Sequence, residues 1–168
     1  METITTTPVV ITPEALLEHW QGHRRLTRRT IEAFPADKLF TYSVGGMRPF
    51  SALAGEMISM AGPSMYGFVT GRWDPVDERG HLLTEAPKPD TQAGLLEQWD
   101  ETTDIINTLW PRIRPDRFQE NDKLFNMWES AIYSGIFYLI DNEIHHRGQG
   151  YVYLRSLGIE PPPFWERD

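Results

Sequence analysis

Apolar residues in this 168-residue chain recur at helical spacing in four blocks bounded by proline or glycine, with no convincing strand repeat. That pattern predicts an all-α fold. The first block runs from about Pro13 to Phe34, where Thr12 suits an N-cap, Pro13 suits the first helical position, and Pro35 follows the end. Its stripe is Leu16, Leu17, Trp20, Leu26 and Ile31. A Gly45-Gly46 loop leads to the second block, from Pro49 or Phe50 to about Phe68, with Leu53, Met57, Ile58 and Met60. Gly62-Pro63 is expected to kink or split it, because proline removes a backbone hydrogen bond.

Gly71 to Pro89 is rich in turn formers and charge and reads as a long loop beside a cleft. The third block, about Thr91 to Trp110, has Asp90 as its expected N-cap and buries Leu95, Leu96, Trp99, Ile105, Ile106 and Leu109. Arg112 to Asn126 has no clear period, and some of it can be extended. The fourth and longest block spans about Trp128 to Leu157 and closes on Gly158. Pro161-Pro162-Pro163-Phe164-Trp165 then forms a stiff tail expected to dock its aromatic pair on the bundle. The expected fold is an all-α four-helix bundle with long connecting loops, one domain over residues 1–168.

Composition narrows the function. A net charge of −8 with no concentrated basic face argues against nucleic-acid binding. No apolar run approaches a membrane span. Met1 to Thr12 lacks the basic region and apolar core of a signal peptide, and cysteine is absent, so a cytoplasmic protein without thiolate chemistry is expected.

The chemistry-bearing stretch is Asp141-Asn142-Glu143-Ile144-His145-His146-Arg147-Gly148-Gln149. A core-facing row can be traced through Gly135, Tyr138/Leu139, Asn142, His146, Gln149/Gly150 and Tyr153, leaving Asp141 and His145 off it. Asn142 and His146, four apart, can share a metal ion, or can form a buried hydrogen-bonded pair that fixes helix register. Glu143 and Arg147 read as a solvated i,i+4 salt-bridge row. His19 and His23 also sit four apart, on a mixed face. Glu56 is the one acid between Asp37 and Asp74, either turned outward or turned inward as a partner for the last helix.

The chain resembles the DinB-like (damage-inducible, YfiT-like) family. The resemblance rests on Glu143-Ile144-His145-His146-Arg147-Gly148-Gln149, followed by Tyr153-Leu154-Arg155, Leu157-Gly158-Ile159 and Pro162-Pro163-Phe164-Trp165. Leu17-Glu18-His19-Trp20, Arg28-Arg29-Thr30 and Gly45-Gly46-Met47-Arg48-Pro49-Phe50 extend it through the first two helices. It implies a four-helix bundle, usually a homodimer, whose metal site takes one histidine from helix two and two from the last helix. Those positions fall at Glu56, Asn142 and His146, so His146 alone keeps the family's residue. Such a set either holds a divalent ion (nickel, zinc or manganese) or forms a metal-free hydrogen-bonded triad.

The resemblance implies a stress-associated protein with a degenerate or altered divalent-metal site, rather than a three-histidine metalloenzyme. The alternative it implies is a metal-dependent thiol S-transferase of the bacillithiol type, with a low-molecular-weight thiol as substrate and Arg147 or Arg48 assisting an anionic one. A second copy of the chain is the expected partner in either case, and in the metal-free case the old metal pocket binds a small-molecule ligand or nothing.

Overall fold

The computed structural model describes residues 10–73 and 88–168. Helix α1 (Pro13–Ala33) opens as the sequence predicts, with the Thr12 hydroxyl accepting from the Ala15 amide at 3.2 Å. A one-turn helix α2 (Ala36–Leu39) follows, then α3 (Phe50–Thr70), α4 (Gln92–Leu109) and α5 (Ile132–Ser156). The four long helices of the expected bundle are therefore present.

Their directions follow from which core residues meet. At one end Leu16 and Trp20 of α1 meet Met65 and Phe68 of α3, Ile106 and Leu109 of α4, and Ile132 and Ile136 of α5. At the other end Ile31 and Phe34 meet Phe50 and Leu53, Leu95 and Trp99, and Tyr153 and Leu154. Helices α1 and α5 thus point one way, and α3 and α4 the other. Helix α3 packs on α4 and α5, and α1 packs on the same two. The outcome is an up-down-down-up bundle with α1 diagonal to α3.

Several boundaries differ from the sequence reading. Helix α3 runs unbroken through Pro63, so the expected split does not occur. Proline forfeits one hydrogen bond there, whereas Ala61, Gly62, Ser64, Met65 and Phe68 are all buried around it. The cap of α4 is Thr91, whose hydroxyl accepts from Gly94 N at 3.1 Å, not Asp90. Helix α5 starts at Ile132, because Trp128–Ala131 is strand β2, paired antiparallel with β1 (Asn121–Leu124). That pairing is set across the turn at Phe125 and Asn126, both at positive φ, and no local period reveals it. The expected loop over Gly71–Pro89 falls largely outside the described residues.

The end of α5 matches expectation. Gly158 has φ 76°, its amide donates to the Arg155 carbonyl at 3.0 Å, and Ile159 N donates to Leu154 O at 2.9 Å. This is the double hydrogen bond that closes a helix on a left-handed glycine. The tail is a correction. Phe164 and Trp165 are 61% and 68% exposed, and the tail instead docks through its backbone and charged residues.

Close approach of α3 and α5 depends on Gly150. A Cβ there would lie 2.8 Å from Phe50 Cδ2 and Cζ, and the Phe50 ring is itself buried and stacked on Phe34. Gly150→Ala should therefore lower stability by about 1–3 kcal/mol, despite alanine's better helix propensity. Urea unfolding at constant m-value checks this, and an unchanged midpoint would contradict the packing described.

Candidate functional site

Two clusters of polar side chains flank α5. The outer one joins the loop before α3 to α3 and α5. Glu56, about two turns from the end of that loop, sends Oε2 to Arg48 Nη2 at 2.5 Å and Oε1 to His146 Nε2 at 3.0 Å. His146 is 8% exposed and Glu56 30%, so the pair sits at the mouth of the α3/α5 seam. The opposite ring nitrogen, His146 Nδ1, faces Gln149 Oε1 at 2.9 Å. Both ring nitrogens therefore have a side-chain oxygen within hydrogen-bond distance. Arg48 is fixed from behind, since the Tyr153 hydroxyl donates to its carbonyl at 2.8 Å. Partial burial alone would raise the Glu56 carboxyl, but the hydrogen bonds from Arg48 and His146 outweigh it and hold it below its usual range.

Of the residues expected to form a triad, the structure thus brings Glu56 and His146 together and adds Arg48. Asn142 lies one turn before His146, half-buried, and makes no hydrogen bond among the described residues. Among those residues, no three His, Asp or Glu side chains are grouped so as to hold a metal ion.

The inner cluster lies in the α1/α5 seam and corrects the sequence reading more sharply. Glu143 and Arg147, expected on a solvated face, are 2% and 5% exposed. Of the alternatives Tyr138 and Leu139 on the core-facing row, Leu139 is the buried one and Tyr138 is 44% exposed. The buried face of α5 keeps Gly135, Leu139, His146, Gly150 and Tyr153 of the expected row and widens to take in Ile136, Ile140, Glu143, Arg147 and Leu154. Glu143 Oε1 accepts from the Thr27 hydroxyl at 2.7 Å, and Oε2 accepts from Trp20 Nε1 at 3.4 Å. Arg24 and Arg147 flank the same carboxylate at 3.8 and 3.9 Å.

Arg24 is fully buried, lies 3.4 Å over the Trp99 ring and donates to the Trp99 carbonyl at 2.7 Å. Burial lowers its guanidinium to about 10, against Glu143 and Asp100, which favour the charge. Burial likewise pushes the Glu143 carboxyl up, against Arg24, Thr27, Arg147 and Trp20. A signal for this layer did exist in α1. Arg24 and Thr27 occupy the turn between Trp20 and Ile31 on one helical stripe, where a solvated pair would not fall.

His23 is buried beside this layer and does not read as a metal ligand. Its Nδ1 accepts from Arg147 Nη2 at 2.9 Å, and Arg167 Nη1 lies 3.3 Å from Nε2. Cations therefore stand at both nitrogens where an ion would have to bind. Burial first, then Arg147, Arg167 and His19, lower its pKa to about 3. His19 meets it edge to face, with ring centroids 4.7 Å apart.

The four-helix bundle is the fold that the resemblance to the DinB-like family implies. The comparisons agree: residues 91–168 match the model of the DinB family. The fold is similar to a DinB-like protein from Bacillus subtilis, at 16% identity and TM-score 0.73, covering 91% of this chain and 99% of that one. It is also similar to a DinB-like protein from Bacillus cereus ATCC 10987, at 17% identity and TM-score 0.66, covering 89% and 95%. No curated protein matches. The expected DinB-like resemblance and helical fold are thus borne out. The family match takes in Asn142 and His146, whereas Glu56 and Arg48 lie before it.

Proposed function

We propose that this chain is a stress-associated DinB-like bundle that works without a resident metal ion, its degenerate metal position having been taken over by an arginine. The supporting observation is the Arg48–Glu56 contact at 2.5 Å: a guanidinium holds the carboxylate oxygen that a divalent ion would need. The other oxygen is held by His146, whose second nitrogen is occupied by Gln149. A carboxylate, an amide and one imidazole are also a hard, weak donor set for nickel or zinc, and so do not fit the family's usual ion. No ring nitrogen stands free to move a proton on a substrate, so the cluster acts as a staple between the Gly45-Gly46 loop, α3 and α5.

In this reading the partner is a second copy of the chain. Tyr133, Phe137, Tyr138, Ile144 and Val152 form an exposed apolar strip along α5 that suits such a contact. No helix among the described residues is long and apolar enough to cross a membrane, and a cytoplasmic location is proposed.

Elemental analysis of the purified protein should find nickel, zinc and manganese well below stoichiometric, with no change in His146→Ala. Arg48→Ala should bind added zinc more tightly than the parent chain by titration calorimetry, since it frees Glu56 Oε2. A stoichiometric metal that disappears in His146→Ala would overturn the reading. It would favour instead the metal-dependent thiol S-transferase, with a bacillithiol-type thiol as substrate.

A further inference from the structure

The end of the chain is held on α1, beside α5, by polar contacts. Past buried Pro161 the backbone turns, with Glu166 N donating to the Pro163 carbonyl at 3.1 Å, and both rings of that turn, Phe164 and Trp165, face outward. Arg25 Nε donates to the Arg167 carbonyl at 2.8 Å, and Arg29 donates to the Glu166 carbonyl. Gly22 forms the floor of this seat. A Cβ there would lie 3.1 Å from Arg167 Cβ, so the segment rests where α1 has no side chain.

The Arg167 guanidinium reaches the His23 ring, where two donors meet one acceptor. Arg147 Nη2 lies 2.9 Å from Nδ1, and Arg167 Nη1 lies 3.3 Å from Nε2. A guanidinium donates and never accepts, and a neutral imidazole has one N–H and one lone pair. His23 is neutral, because burial first and then Arg147, Arg167 and His19 lower its pKa to about 3. One of the two contacts is therefore always donor against donor. The shorter one places the lone pair on Nδ1 and the proton on Nε2, so Arg147 is held and Arg167 is opposed. Each arginine keeps another partner when it is the one opposed. Arg147 Nη1 donates to Thr27 Oγ1 at 3.0 Å, and Arg167 Nε donates to the Phe164 carbonyl at 3.4 Å.

We propose that His23 is a two-position tautomer switch between α5 and the C-terminal segment, which acts as a strap on α1. With the proton on Nε2, Arg147 is fixed to α1 and the strap is held mainly through its carbonyls. With the proton on Nδ1, Nε2 accepts from Arg167, the strap is tightened, and Arg147 is left to Thr27 and Glu143. The two arginines compete for one lone pair. Whatever draws Arg147 from His23 therefore tightens the strap, and whatever pins the strap loosens Arg147.

Two nuclear magnetic resonance signals test this in the full chain near neutral pH. The shifts of the His23 ring nitrogens show which carries the proton, and the exchange of Arg25 Nε–H with water reads the strap contact. The parent chain should carry the proton on Nε2. Arg147→Met removes one competitor, so the proton should move to Nδ1 and Arg25 Nε–H exchange should slow about tenfold, the gain of one charge-assisted hydrogen bond. Adding Arg167→Met should abolish that slowing. Arg167→Met alone leaves the inner layer intact and should not speed exchange, because Arg167 is opposed in the parent chain. Gly22→Leu fills the seat and should speed exchange about tenfold, with the proton still on Nε2. A proton on Nδ1, or on both nitrogens, in the parent chain overturns the proposal. So does a proton that stays on Nε2 in Arg147→Met, faster exchange in Arg167→Met, or unchanged exchange in Gly22→Leu.

Discussion

Replacing Glu143 by Gln should lower the unfolding free energy by about 3–5 kcal/mol, the range for breaking a buried ion cluster from one side. The amide keeps the side chain's volume, so no cavity opens and the cost is electrostatic. It arises because Arg24 and Arg147 are 1% and 5% exposed and share this carboxylate. Without it two guanidinium groups repel each other in a site with little water to screen them. The Thr27 hydroxyl, which donates to Glu143 at 2.7 Å, can turn back to the His23 carbonyl at 3.0 Å and recovers part of its bond.

Urea unfolding of the single variant, of Arg147→Met and of the pair makes the measurement specific. The pair should lose less than the sum of the singles, because the second substitution removes one of the stranded charges. Additive losses, or a Glu143→Gln loss below about 1 kcal/mol, would mean that the carboxyl is not carrying the charge assigned to it.

The same cluster shows where sequence reasoning stops. Thr12, Pro13 and Gly158 mark helix ends by local chemistry, and each works in the fold as its residue type predicts. The four apolar stripes gave the four long helices for a related reason, since period is a property of each segment alone. His146 facing α3 was legible from its spacing and from the family resemblance. Arg48 meeting Glu56 was not, because eight residues and a change from loop to helix separate them.

Glu143 and Arg147 were misread because an i,i+4 ion pair has the same spacing on a wet face as in a seam. What decides the matter is Trp20, Arg24 and Thr27 more than a hundred residues away. Likewise Trp128–Ala131 pairs with Asn121–Leu124 across a turn, and an apolar start at Trp128 extends the helical period falsely. The tail's aromatics were assigned to the bundle on hydrophobicity alone. Their place is decided by Arg25 and Arg29, which take the tail's carbonyls, leaving the rings outside.

This polar layer lies between the apolar clusters at the two ends of the bundle, with Trp20 and Leu139 on one side and Ile31 and Leu154 on the other. Such a layer contributes less to stability than an apolar one would, but it matches only when α1 and α5 are in register. The outer staple does the same for α3 and α5 through Glu56 and His146. Helix α5 is thereby fixed on both flanks within a little over one turn.

Acid should loosen this arrangement before the carboxylates are fully titrated, and His23 is the reason. In the folded chain its pKa falls from 6.5 to about 3, through burial first and then through Arg147, Arg167 and His19. The unfolded chain therefore binds a proton that the folded chain refuses between those values. Stability from this group is complete above about pH 6.5, falls as pH drops, and is gone near pH 3. Between about pH 7.5 and about pH 5 the loss is about 2 kcal/mol. Glu143 runs the other way: its raised carboxyl favours the folded state as pH falls.

Comparison with His23→Asn isolates the histidine, since both chains keep Glu143 and the asparagine oxygen can still accept from Arg147. The parent chain should be the more stable at about pH 7.5, with that advantage smaller by about 2 kcal/mol at about pH 5. An advantage that is the same at both values, measured by urea unfolding, would show that His23 is not held neutral between the two arginines. The hydrogen bond assigned from Arg147 to its Nδ1 would then be wrong.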